Sequence, residues 1–184
     1  MMTFNLFEAV TTAKLVDGTS VTTTVTDTAG ALIPSEINMI PAAAVPAADA
    51  CLAGDLRTSP ILDASGAPTG KFCIPETWPT DGRLGGVPAP EAAGPTIYQI
   101  ANEGGWLPNV ATFEPTPINY VTDKGRIVVL NVDLGRSGLF LAPAERADIV
   151  VDFSQYAGKT LLVYNDSGAP VPAGDPRNDL FTGI

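Results

Sequence analysis

The clearest alternation of apolar and polar positions runs from Leu139 to Phe153, LFLAPAERADIVVDF. Pro143 lacks an N–H and cannot continue a sheet ladder, so Ala142-Pro143-Ala144 reads as a corner. Beyond it, Ala147, Ile149, Val151 and Phe153 fall on one side of an extended chain. Arg146, Asp148 and Asp152 fall on the other, with Val150 as the apolar exception. That period of two predicts a half-buried strand. Ser154-Gln155-Tyr156-Ala157-Gly158 then makes a short connection, with Gly158 free to take a positive φ, and Leu161–Tyr164 is expected as the returning strand. Strand, proline corner, strand, short loop and strand together imply an antiparallel β-sandwich.

Other stretches follow the same pattern. Met2–Phe7 alternates weakly. Thr19–Thr26 is rich in β-branched residues, places Val21 and Val25 on one face, and follows the hairpin signal Asp17-Gly18. Thr96–Ile100 alternates and ends at the turn Glu103-Gly104-Gly105. Val110–Tyr120 is broken by Pro115 and Pro117 and is expected to cross between sheets. Arg126–Val132 is almost continuously apolar, as a central strand would be. Gly135-Arg136-Ser137-Gly138 is a turn whose spacing does not match a nucleophile elbow. Between Ala29 and Pro95 the periodicity disappears, with ten prolines and eight glycines. This segment, 29–95, is expected to be a long irregular insertion in a sandwich built from 1–28 and 96–165. It either wraps a neighbouring domain or packs on its own sandwich. The Pro/Gly-rich tail 166–184 reads as a linker towards a following domain.

At 184 residues the chain is long enough for one domain with a real core. A net charge of −10, with no run among its ten Lys and Arg, argues against a nucleic-acid surface. No apolar run approaches the roughly 20 residues that span a bilayer. Met1–Val10 has no basic segment ahead of its apolar residues and is not a signal peptide, so export would need a leader outside this sequence. Two cysteines, Cys51 and Cys73, permit one disulfide, the alternative being two unreactive thiols, and favour a secreted or periplasmic location. There is no histidine. Blue-copper centres need two imidazoles and a thiolate, so no such centre can be built from these residues alone. Ser-His-Asp and Cys-His nucleophilic machinery is excluded by the same absence.

Few side chains remain as candidates for chemistry. Glu145, Arg146 and Asp148 sit beside Pro143, where an ion pair holding the corner is the structural expectation. Glu103 and Glu114 are loop carboxylates that would have to converge in a cleft to act as an acid/base pair. Asp63-Ala64-Ser65-Gly66 and Asp166-Ser167-Gly168 are short for calcium. Asn165-Asp166-Ser167 is a formal glycosylation sequon and equally a turn. Trp78 and Trp106 are expected as packing residues or interdomain anchors. No catalytic and no metal-binding residue is assigned.

Three stretches carry a family resemblance. The segment from Leu139 to Ser154 resembles the corresponding part of the second cupredoxin domain of three-domain multicopper oxidases. Tyr98–Pro108, YQIANEGGWLP, is similar to a strand and turn of that family, F-x-x-I-x-x-(D/E)-G-G-x-L-P. Gly174–Gly183 is similar to its exit segment towards the third domain. Met2–Phe7 faintly resembles a strand lying well inside that domain, which implies that earlier strands are missing and one sheet edge is unpaired. The resemblance implies an all-β, cupredoxin-like Greek-key sandwich with a long Pro/Gly-rich insertion. It also implies no copper in this chain, copper in the parent oxidase, and the flanking cupredoxin domains of the same enzyme as partners. The alternative is a free-standing exported β-sandwich that binds protein or polysaccharide. A truncated gene product without activity is the third reading.

Overall fold

The computed structural model describes residues 2–55, 57–80, 82–118, 120–123, 126–130 and 138–166. Among these, order is carried by strands, and the helical turns are three-residue 3₁₀ turns. The strands in chain order are β1 (Met2–Glu8), β2 (Thr12–Lys14), β3 (Ser20–Thr22), β4 (Met39–Ile40), β5 (Pro60–Leu62), β6 (Pro68–Phe72) and β7 (Val87–Pro88). They continue as β8 (Ile97–Asn102), β9 (Gly105–Phe113), β10 (Tyr120–Asp123), β11 (Arg126–Leu130), β12 (Leu139–Leu141), β13 (Ala147–Val151) and β14 (Leu161–Tyr164). The fold is an all-β, cupredoxin-like sandwich with a Pro/Gly-rich insertion.

One sheet has the order β12-β1-β14. β1 pairs with β12 from Met2↔Leu141 to Phe4↔Leu139, and with β14 from Asn5↔Tyr164 to Glu8↔Leu161. Each partner covers half of β1, and other groups extend both edges. Gly94 N donates to Leu6 O at 3.0 Å, and Thr3 N donates to Asn165 Oδ1 at 2.9 Å. The unpaired edge that the resemblance implied is therefore occupied, because insertion backbone and an asparagine side chain complete the ladder.

The second sheet has the order β13-β8-β9. β8 and β9 form the expected hairpin at Glu103-Gly104, where Asn102 Oδ1 accepts from Gly104 N at 2.9 Å. β13 pairs with β8 from Ala147↔Asn102 to Val151↔Ile97. The chain thus passes from β12 in the first sheet to β13 in the second and back to β14 in the first. β14 is therefore not the hairpin partner of β13, as the short connection between them suggested. Asp152 Oδ1 accepts from Ser154 N at 2.8 Å, and a 3₁₀ turn over Ser154–Tyr156 follows, with Gly158 at φ 75°. These local bonds turn the chain away before β14 begins. The alternation also stops at Val151, so Phe153 is exposed rather than inward.

The remaining pairings are short. β2 and β3 make the hairpin signalled by Asp17-Gly18, with Asp17 Oδ1 accepting from Thr19 N. The strand expected over Thr19–Thr26 shrinks to β3, leaving Val25 exposed. β10 and β11 pair with each other, and residues 131–137 lie outside the described residues. The insertion contains β4–β7 and the hairpin β5–β6. Gly86 makes the first of these possible. Its φ is +68°, and a Cβ there would lie 2.2 Å from Ile40 O.

The buried apolar cluster joins Phe7 of β1 to Ala42, Trp78, Val87 and Ala92 of the insertion, with Tyr164 meeting Phe7 edge-to-face at 5.4 Å between ring centroids. The segment without periodicity is therefore core. It packs on the chain's own β1 through single apolar residues set between prolines. That pattern has no period to read.

Candidate functional site

Strand pairing brings a set of polar side chains to one sheet face. Ile97 is opposite Phe113 on one side and Val151 on the other. The preceding Thr96 and the following Glu114 and Asp152 point the other way by the period of two, and so does Tyr98. These four residues line one side of a cleft of about 370 Å³. Its other walls come from the insertion, with Arg57, Phe72 and Trp78, and from the turn after β13, with Gln155 and Tyr156.

Arg57 is held there by the only disulfide among the described residues. Cys51 and Cys73 are bonded, with Cα atoms 4.9 Å apart. Cys51 N donates to Ile74 O and Cys73 N to Ser59 O, so the backbone on both sides of Arg57 is tied down. Arg57 Nε and Nη2 reach Glu114 Oε1 at 2.8 and 2.7 Å, and Thr96 Oγ1 donates to Glu114 Oε2 at 3.0 Å. The Glu114 side chain is 9% exposed and that of Arg57 60%. Water screening on the arginine side limits such a pair to about 1 kcal/mol. Burial works against the Arg57 charge, but Glu114 outweighs it and holds the guanidinium pKa above its ordinary value, with help from the Tyr98 hydroxyl. At the rim, the Ser154 N–H bond keeps the Asp152 carboxyl below the usual range. Burial pushes the Tyr156 phenol up, and its hydroxyl donates to Ala93 O at 3.4 Å.

A second polar cluster is fully interior. Asp166 Oδ1 accepts from Thr3 Oγ1 and Oδ2 from Ile118 N, both at 2.6 Å. Arg83 Nη1 lies 3.6 Å from Asp166 Oδ2, and Arg83 Nη2 donates to Ile118 O. Burial raises the Asp166 pKa, opposed by these bonds and by Arg83. The cluster joins β1, the insertion and the end of β14, which makes it structural. Asp166 therefore belongs to the sandwich rather than to the linker expected from 166 onwards, and residues 167–184 lie outside the described residues.

The corner residues make backbone contacts. Glu145 Oε2 accepts from Ala142 N at 2.8 Å, and Glu145 N donates to Ala142 O at 3.0 Å. This tight turn holds Ala144 at φ 64°, a left-handed conformation that costs an alanine about 1–2 kcal/mol. Pro143 is exposed at its tip, and Arg146 N donates to Glu103 Oε1 at 2.6 Å. The expected Glu145–Arg146 ion pair does not form among the described residues; Glu145 accepts from the Ala142 N–H instead. Asp148 faces outward on β13 beside a bulge. Glu103 and Glu114 stand at opposite ends of the β8–β9 ribbon and do not converge. Asp63 Oδ1 accepts from Ser65 N and Ala67 N, which caps the β5–β6 turn. Trp78 is 3% exposed and Trp106 80%, so the two tryptophans do opposite things.

Sequence reasoning missed Arg57, Tyr98 and the partners of Glu114. The alternation of Thr96-Ile97-Tyr98 could have placed two of the cleft residues on one face. Nothing in the sequence brings Arg57 to Glu114 across 57 positions.

The donor set does not fit copper. The chain has no imidazole, both thiols are consumed in the disulfide, and no group of three or more Cys, Asp or Glu side chains converges among the described residues. Among the described residues no helix is long and apolar enough to cross a membrane.

Comparison with known proteins gives short matches. A laccase of Bacillus stratosphericus is 32% identical over 73 residues, 40% of this chain and 10% of that protein. A multicopper oxidase of Arabidopsis thaliana is 42% identical over 41 residues, 22% of this chain and 7% of that protein. The chain thus aligns with about a tenth or less of the length of these curated relatives. No protein-family model and no solved structure matches it. Both matches are to copper oxidases, so short stretches of the chain are similar to parts of proteins of that kind.

Proposed function

We propose that this chain is the middle cupredoxin domain of a secreted or periplasmic multicopper oxidase and that it binds no copper itself. In this reading the whole enzyme oxidises phenols, amines or metal ions at one copper and reduces dioxygen to water at a copper cluster. The copper ligands lie in flanking cupredoxin domains, and this domain spaces and orients them. The observation that carries the reading is a laccase-related β-sandwich with no histidine in 184 residues. No catalytic residue is assigned. The test is copper loading of the purified chain, read by metal analysis and visible absorbance. No stoichiometric copper is the expected result. One copper per chain with a blue band would overturn the reading. Coding sequence with H-x-H pairs upstream and H-C-H downstream would support it. A second reading, a free-standing exported binding module for protein or polysaccharide, is favoured by the cleft between the insertion and the second sheet.

A further inference from the structure

The hairpin β5–β6 stands apart from the rest of the insertion. Between Ala42 and Cys73 no described residue is buried. Within 52–72, Thr58, Ile61 and Phe72 are half-buried and the other described residues face solvent, Leu52 and Leu62 among them. The two strands have three and five residues and an irregular register, and Pro60 and Pro68 each remove a donor from the ladder. A two-stranded ribbon of this kind is marginal in water by itself.

Its base is held firmly. The Cys51–Cys73 disulfide closes it, and Arg57 is paired with Glu114. Directly outside, Ala50 bridges to Ile74, with Cys51 N donating to Ile74 O at 3.0 Å and Ile74 N to Asp49 O at 2.7 Å. Opening of the ribbon is therefore confined to 52–72 and exposes little apolar surface, which places it at the low end of local unfolding free energies. The tip, Asp63-Ala64-Ser65-Gly66-Ala67, is made of small and polar residues, with Asp63 Oδ1 accepting from Ser65 N and Ala67 N. Exposed tips of this composition are where proteases nick folded chains. The turn Asp27–Ala31 has the same Asp-capped form, but near its base the buried Thr23 hydroxyl is bonded to Ser35 Oγ. The β2–β3 hairpin is anchored by the fully buried Ala13. Among the described residues, no buried side chain anchors 52–72 in that way.

We propose that the tip of β5–β6 is a processing site for an endopeptidase whose pocket takes small side chains, and that the disulfide keeps the cut protein in one piece. Water adds across one peptide bond between Ala64 and Ala67, leaving a carboxylate on one side and an amine on the other. Cys51–Cys73 then joins the two fragments. Phe7, Ala42, Trp78, Val87 and Ala92 all lie outside 52–72, so the cut form keeps its core. This holds whether or not the chain sits between copper-bearing domains.

The experiment is limited digestion of the 184-residue chain with pancreatic elastase at pH 7, read by gels with and without dithiothreitol and by mass spectrometry of the fragments. Among residues 2–118, the first cut is expected between Ala64 and Ala67, and its two fragments should separate only with dithiothreitol. Asp63→Ala, which removes both caps of the tip, should speed that cut severalfold. Urea at 1 M should raise the rate by less than about threefold, once corrected for the protease's activity on a short peptide. Global unfolding, with a slope of about 1–3 kcal/mol per molar, would raise it about fivefold or more. The proposal is overturned if the first cut among residues 2–118 falls anywhere else, or if the fragments separate without reductant. It is equally overturned if Asp63→Ala leaves the rate unchanged, or if urea raises the rate as global unfolding would.

Discussion

The sheet β13-β8-β9 and the segment 29–95 divide order and burial between them. The sheet has the long ladders, yet β9 has no fully buried residue, and Trp106, Val110 and Val150 face solvent. The segment has strands of two to five residues, yet Ala42, Trp78, Val87 and Ala92 close around Phe7. Regular hydrogen bonding and removal of apolar surface from water are separate contributions, and here the segment holds the larger share of the buried apolar residues while the sheet adds Ile97 and Ala101. Stability should follow the buried segment more than the regular sheet.

Trp78→Ala tests this most directly. It should lower the free energy of unfolding by about 3–5 kcal/mol, as expected for a large side chain removed from a core. Trp106→Ala should change it by less than about 0.5 kcal/mol. Equal shifts of the urea midpoint in the two variants would erase the contrast. Next in size is the cross-link. The Cys51→Ser, Cys73→Ala double variant opens a loop with a sequence separation of 22 and should cost about 3 kcal/mol by the chain-entropy account. A midpoint unchanged by dithiothreitol would contradict this.

Gly94→Ala probes the seam between the two regions. A Cβ there would lie 2.4 Å from Leu6 O, so the insertion backbone would have to withdraw from β1. A loss of about 1–3 kcal/mol is expected, with faster amide exchange at Gly94 itself. Acid titration gives the smallest effect and reads its sign. Asp166 has a folded pKa raised above 3.8 by burial, so its contribution is fully present below 3.8 and is lost as pH rises through the folded value. Asp17 and Asp63, held below 3.8 first by the hydroxyls of Thr19 and Ser65, contribute the opposite slope below that pH. Asp166→Asn should remove only the downward limb above pH 3.8. If the variant and the parent protein keep parallel profiles, Asp166 does not titrate there.

Much of the ordered sheet was legible from alternation and turn chemistry. Glu103-Gly104-Gly105 marks the β8–β9 hairpin, Asp17-Gly18 the β2–β3 turn, and Ala147, Ile149 and Val151 the inner face of β13. The core was not legible, because Trp78 and Val87 act as single residues between turns and a periodicity test needs runs. The path from β13 to β14 was misread for a related reason. A short loop favours a hairpin, and the Asp152–Ser154 bond that redirects the chain is a local feature without a sequence period. Of the cleft, only the Thr96/Tyr98 alternation was visible. Arg57 reaches it through the disulfide and tertiary packing.

β1 lies between strands made near the other end of the chain, and Thr3 N meets Asn165 across 162 positions. On the ribosome, β1 has no sheet to join until the later of these two partners has left the exit tunnel. Such distant pairing slows folding and leaves Phe4, Leu6 and Phe7 without their sheet partners while the rest of the domain is made.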